Sequence, residues 1–207
     1  MSNRVKITML GAASVGKTSM TVRFTQDTFD GEYDPTIEDT YKHQLSLPDG
    51  EEAELVILDT AGQEEYSVMR DTHWKESDAF MIVYDITNEA SLDEIDKYWK
   101  KIQQIKDCDT FPVILCGNKC DLEKKRKVSK EDGEKYAEER TFAWLETSAK
   151  SNINVQESYV KLVELALSFD AEGEEESDEE VEEVKKTKKK KKKKKGLLKG
   201  LFKKKKK

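Results

Sequence analysis

GAASVGKTS, residues Gly11 to Ser19, follows the apolar run VKITML (5–10) and runs into KTSMTVRFTQ (17–26), which reads as a helix. Its frame is Gly11, a gap of four residues, then Gly16, Lys17 and Thr18. That is the pattern of a strand-to-helix loop that holds phosphates. The glycines permit a turn that aims consecutive N–H groups inward, and the helix N-terminus adds partial positive charge. In such a loop the Lys17 ammonium reaches the β- and γ-phosphates of a nucleotide and the Thr18 hydroxyl ligates Mg2+. A glycine turn that only caps a helix would share this outline, so the rest of the chain has to decide.

Outward from the loop, further short apolar runs appear at AELVILDT (53–60), AFMIVYDI (79–86), FPVILCGN (111–118) and FAWLET (142–147). Most are near-continuous rather than alternating, as expected of strands buried on both faces of a parallel sheet. Between them, Leu92, Ile95, Trp99, Ile102 and Ile105 recur at helical spacing, and so do Val155, Tyr159, Leu162, Val163 and Ala166. LPDGEE (47–52) reads as a hairpin turn between KHQLSL and AELVIL, which makes one strand pair antiparallel. The expected fold is α/β: a doubly wound, mostly parallel sheet with one antiparallel edge strand and helices on both faces. Ligands of such sheets lie at the carboxyl ends of the strands.

Three more motifs fall at such ends. DTAG (59–62) closes one strand; there Asp59 can hold a Mg2+ shell and the Gly62 N–H can meet a terminal phosphate. NKCD (118–121) closes another. The two oxygens of Asp121 suit the paired donors on one edge of guanine, which adenine does not present, and a mismatched base leaves the carboxylate unsatisfied. ETSAK (146–150) closes a third and supplies contacts to the base's other edge. Each motif is weak alone, but their order and placement are specific.

GxxxxGKT, YDPTIEDTY (33–41), DTAGQEEYSVMRD (59–71), NKCDL (118–122) and ETSAK together resemble a small GTPase of the Ras family, over residues 4 to about 169. YDPTIEDTY is closer to the Ras effector-binding loop than to its Rho, Rab or Arf counterparts. The resemblance implies a P-loop NTPase G domain that binds GTP or GDP with Mg2+ and slowly hydrolyses GTP. It implies nucleotide contacts from Gly11, Ala13, Ser14, Val15, Gly16, Lys17, Thr18 and Ser19. Phe29 would pack beside the guanine, Tyr33 would form a lid over the phosphates, and Pro35 and Thr36 would lie at the nucleotide. Thr18, Thr36 and Asp59 would serve the metal, Thr36 only in the GTP state. Asn118, Lys119, Asp121 and Leu122 would form one side of the base site, and Ser148, Ala149 and Lys150 the other, with the Ala149 N–H donating to guanine. Lys17 and Gln63 would be catalytic, Gln63 by orienting the attacking water. Residues 30–41 and 60–75 would order around the γ-phosphate and relax when it leaves. Ras-type effectors would engage Tyr33–Tyr41, and an exchange factor and a GTPase-activating protein would drive the cycle.

One departure stands inside the opening loop. Typical Ras proteins carry two glycines where this chain has Ala13 and Ser14. The resemblance implies that a side chain at the first of these positions crowds the space shared by the catalytic glutamine and an activator's arginine. The chain then reads either as a slow, activator-resistant hydrolase, in the limit a persistently GTP-bound signalling scaffold, or as one whose surroundings accommodate Ala13. His43 and His73 match no catalytic position and read as surface residues, while Trp74, Trp99 and Trp144 read as packing residues.

Charge divides the chain. Residues 1–170 hold 21 Lys and Arg against 34 Asp and Glu, whereas residues 171–207 hold 16 Lys against nine acids. The expected organisation is a GTPase domain (1–170), an acidic linker too poor in apolar residues to fold alone (171–184), and a polybasic tail (185–207). Within the tail, Leu197, Leu198, Leu201 and Phe202 fall on one side of a helix flanked by lysines, an arrangement suited to anionic membrane lipids. The tail carries no cysteine for lipidation. Expected placement is therefore the cytoplasmic face of the plasma membrane or an endomembrane, without a lipid anchor. A lysine block also serves nuclear import or nucleic-acid binding, which leaves a nuclear or nucleic-acid-associated protein as the alternative; the apolar cluster favours membrane, because polyanion binding has no use for it. Three cysteines without framework spacing point to a reducing compartment, with Cys116 an inert core residue. No apolar run is long enough to read as a membrane span.

Overall fold

Six strands form one sheet in the order β2-β3-β1-β4-β5-β6. They are β1 (Asn3–Leu10), β2 (Glu38–Ser46), β3 (Glu52–Thr60), β4 (Ala79–Asp85), β5 (Val113–Asn118) and β6 (Ala143–Glu146). This is a computed structural model, and it describes residues 3–29, 38–60 and 68–169. Every neighbouring pair is parallel except β2 with β3. Their hairpin closes where expected: the Leu47 N–H donates to Glu51 O at 2.8 Å and the Gly50 N–H to Leu47 O at 3.0 Å. β4 and β5 are buried at every position, which explains their unbroken apolar runs. β1 lies between β3 and β4, so the chain winds outward from it in both directions and leaves its crevice at the carboxyl end of β1.

The helices are α1 (Lys17–Gln26), α2 (Val68–Glu76), α3 (Glu89–Asp93), α4 (Ile95–Lys106) and α5 (Lys130–Glu138), followed by α6 over 155–169. Alternate strand residues serve two layers. Leu10, Phe80, Ile82, Tyr84 and Leu115 form one cluster with Trp74 of α2, Ile95 and Ile102 of α4, and Ala137 of α5. Met9 points the other way, 3.6 Å through its sulfur from the Tyr159 hydroxyl. There Phe24 of α1 stacks on the Tyr159 ring at 3.9 Å, and the Thr147 hydroxyl reaches the Met20 sulfur at 3.6 Å.

Several expectations were refined. The stripe from Leu92 to Ile105 is divided at Glu94, yet Glu94 stays αR and its N–H still reaches Ala90 O at 3.2 Å, so the apolar face continues across both helices. His43 is half-buried with its ring 4.6 Å from Phe24, and His73 is half-buried too. All three tryptophans pack: Trp74 is buried, Trp99 lies 4.7 Å from both Phe111 and Phe142, and the Trp144 N–H donates to the Tyr84 hydroxyl at 3.3 Å. Cys116 is fully buried and its thiol is pushed up to about 12 by that burial, so it is inert. The chain divides into Met1–Ala166 and Leu167–Lys207; of the second, the last residues of α6, 167–169, are described. The acidic linker and the polybasic tail lie outside the described residues.

Candidate functional site

The loop after β1 is shaped by three left-handed residues, Gly11 (φ 139°), Ser14 (φ 61°) and Gly16 (φ 99°). A Cβ on Gly11 would stand 2.1 Å from the Val83 carbonyl oxygen, and one on Gly16 would stand 2.4 Å from the Asn118 amide nitrogen. Both glycines are therefore required by close approach as well as by conformation. Val15 is buried under the turn, whereas Ala13 and Ser14 are exposed on it. Lys17, the first residue of α1, is buried and folds its ammonium back to donate to Gly11 O at 2.8 Å and Ala12 O at 2.9 Å. Burial lowers its pKa to about 8, against the opposing pull of Asp59. Thr18 and Ser19 follow, both half-buried.

Asp59, near the end of β3, is completely buried. Neither of its oxygens meets a donor in full hydrogen-bond geometry among the described residues. Burial raises its pKa to about 6, while the Thr18 hydroxyl and the Lys17 ammonium pull it down. A buried carboxylate short of donors beside a threonine hydroxyl is a hard-oxygen set, and these residues fit Mg2+. β1 and β3 are parallel neighbours, so the sheet itself brings Asp59 beside the phosphate loop.

At the end of β5, buried Asn118 ties two loops together. Its Nδ2 donates to Val15 O at 2.8 Å, and its Oδ1 accepts the Ala149 N–H at 3.3 Å and the Thr147 hydroxyl at 3.4 Å. Lys119 (φ 66°) donates to Ser14 O at 2.7 Å and pairs with Asp85 at 2.7 Å. Asp121 accepts from the Ser148 hydroxyl at 2.6 Å, and that same oxygen of Ser148 accepts the Ser151 N–H at 3.0 Å. Leu122 is half-buried in the 3-10 turn Cys120–Lys125, and Lys150 is exposed. Phe29 is an exposed aromatic, 37 % accessible, just beyond α1.

The structure thus brings the phosphate loop, Asp59, NKCD and ETSAK to the carboxyl ends of β1, β3, β5 and β6. Tyr33, Pro35, Thr36, Gly62 and Gln63 lie outside the described residues. Three supporting residues were not singled out from sequence. Arg23 of α1 donates to Ala149 O at 2.9 Å. Arg126 grips Glu146, the first residue of ETSAK, through two nitrogens, one of them at 3.0 Å from Oε2. Asp85 holds Lys119. Only Asp85 left a signal in the sequence, as a charge ending the wholly apolar run AFMIVY.

Comparison with known proteins agrees with this geometry. The chain matches the Ras family over residues 6–168. It is 47 % identical over 160 residues to Ras-like protein 1 of Saccharomyces cerevisiae, covering 77 % of this chain and 52 % of that protein, so it spans about half that relative's length. It is 46 % identical to a Ras-like protein of Laccaria bicolor, covering 76 % of this chain and 75 % of the relative. Identity to Ras-like protein rasB of Dictyostelium discoideum is 43 %, covering 79 % and 82 %. With its phosphate loop, buried metal-type carboxylate and base-side motifs gathered at one end of the sheet, this chain belongs to the Ras family of small GTPases.

Proposed function

We propose that this chain is a Ras-like switch that binds GTP and GDP with Mg2+, hydrolyses GTP slowly, and engages effectors through residues 30–41 and 60–75 in the GTP state. The observation that carries the reading is that buried Lys17 and buried Asp59 both lie at the end of the sheet that also holds Asn118, Lys119 and Asp121. An unsatisfied buried carboxylate and a desolvated ammonium are costly in isolation, and a polyanion with its counter-cation offsets both costs. In this reading the loop N–H groups and Lys17 hold the phosphates, Asp59 and Thr18 hold the metal with Thr36, and Asp121 selects guanine. Mg2+, held by Asp59, Thr18 and Thr36, would supply charge neutralisation to the phosphates. Gln63 positions the attacking water. Phe29, exposed just beyond the end of α1, supplies an aromatic face for the base.

Competition against a fluorescent GDP analogue tests this reading. GTP and GDP displace the probe in Mg2+, ATP does not, and EDTA speeds release. Equal displacement by ATP would overturn it.

The exposure of Ala13 supports a restriction on the activating partner. A methyl group on the outer side of the loop leaves nucleotide contacts intact yet occupies space an inserted arginine needs. Such a donor loses much of its worth when displaced by about an ångström. The tail supports placement at an anionic membrane surface, because its lysines surround Leu197, Leu198, Leu201 and Phe202.

A further inference from the structure

β4 is apolar from Ala79 to Tyr84 and then ends in Asp85, a buried carboxylate outside all four nucleotide motifs. Burying a carboxylate is costly unless its oxygens are satisfied, and for Asp85 both are. Oδ1 accepts the Thr87 N–H at 2.8 Å and the Thr87 hydroxyl at 2.7 Å. Oδ2 meets the Lys119 ammonium at 2.7 Å. The backbone is anchored as well, since the Asp85 N–H donates to the buried Ser91 hydroxyl at 3.0 Å. Asp85 is thus a fixed carboxylate aimed at a lysine.

That lysine continues the chain of contacts. Its ammonium also donates to Ser14 O at 2.7 Å, across the gap between β5 and the phosphate loop. Ser14 holds φ at 61°, a left-handed conformation that costs a residue with a side chain and costs glycine almost nothing. Typical Ras loops have glycine there, which takes the turn without that cost. In this chain a serine occupies the turn, and a carboxylate-backed lysine grips its carbonyl.

The geometry points to Asp85 as a positioning residue for nucleotide retention, acting through Lys119 to keep the Ser14 turn in its phosphate-holding conformation. The inference rests on the nucleotide-binding reading above. Lys119 is one-third exposed; without the carboxylate it is free to turn toward solvent, and the Ser14 carbonyl loses its partner. The loop then relaxes toward conformations a serine prefers, and its N–H groups no longer converge.

The test is the release rate of a fluorescent GDP analogue in Mg2+, measured for Asp85→Asn and Asp85→Ala, each in the natural background and with Ser14→Gly. Asp85→Asn keeps an oxygen for Thr87 and replaces the oxygen that aims Lys119 with an amide donor. In the natural background release accelerates by about tenfold, the worth of one charge-assisted hydrogen bond. With Ser14→Gly the acceleration falls to less than about threefold, because glycine holds the turn unaided. Unchanged release in Asp85→Asn and Asp85→Ala overturns the inference. So does equal acceleration in both backgrounds, which is what a general loss of stability would give. A natural protein that retains no guanine nucleotide overturns the nucleotide reading first and the inference with it.

Discussion

At the scale of single residues, the phosphate loop is a set of close approaches that tolerate few atoms. Gly11 packs against backbone, the Val83 carbonyl, which cannot step aside without disturbing β4. Gly11→Ala is therefore expected to cost roughly 3 kcal/mol, combining overpacking with an unfavourable φ, and a urea titration followed by far-UV circular dichroism reads it as a lowered midpoint. Ala13 is the opposite case: it is exposed, so Ala13→Gly leaves the fold and the nucleotide contacts as they are. With a Ras-type activating protein present, Ala13→Gly is expected to hydrolyse GTP at least about tenfold faster than the natural protein. Equal stimulation of the two would show that the alanine is accommodated. Lys17, Asp59, Asn118 and Asp121 were legible in the sequence because each closes or follows an apolar strand, where this architecture places its ligand. The second duties of Asn118 and Lys119 were not legible. They hold Val15 and Ser14, more than a hundred residues away in sequence, and only the packed sheet makes those contacts.

At the scale of elements, strands were more legible than helices. Continuous burial of β4 and β5 writes itself as continuous apolar sequence, and the hairpin carries its own turn chemistry in Pro48, Asp49 and Gly50. α5 was not foreseen, because its buried positions are Gly133 and Ala137, too small to form a visible stripe. Its N-terminus did carry a signal in Ser129, whose hydroxyl oxygen accepts the Asp132 N–H at 3.0 Å. α5 is also joined to α4 electrostatically. Asp96 accepts from the Tyr136 hydroxyl at 2.6 Å and from Arg140 at 2.8 Å. The Tyr136 hydroxyl, with Arg140, holds the Asp96 carboxyl below its ordinary pKa against the effect of partial burial. A folded-state pKa below the unfolded one stabilises the protein above the unfolded value, and the contribution is lost as pH falls through the folded one. The stability difference between the natural protein and Asp96→Asn, from urea midpoints, is thus expected to be present at neutral pH and to shrink as the solution is acidified below the ordinary carboxylate range. A difference independent of pH would contradict that assignment.

At the scale of the whole molecule, an acidic domain and a lysine-rich tail meet in one chain. The same sign separation would let the tail face an anionic surface while the domain is held off it by repulsion. Sedimentation with vesicles containing phosphatidylserine is expected to capture the natural protein and to lose it when Leu197, Leu198, Leu201 and Phe202 are all changed to Ala. Raising the salt concentration should weaken capture as the Debye length falls from about 10 Å at 0.1 M. Binding that survives the quadruple change would leave charge alone as its cause. The domain's membership in the Ras family follows from its motifs and its relatives, and the switch reading depends on chemistry at one phosphate. The most direct measurement is a single-turnover assay: the protein is loaded with GTP and Mg2+, and GDP is followed over hours beside Gln63→Leu. The account predicts conversion on the timescale of about an hour, that of Ras itself, with Gln63→Leu essentially arrested. GTP that persists unhydrolysed on the natural protein, or conversion at the same rate in Gln63→Leu, would contradict it.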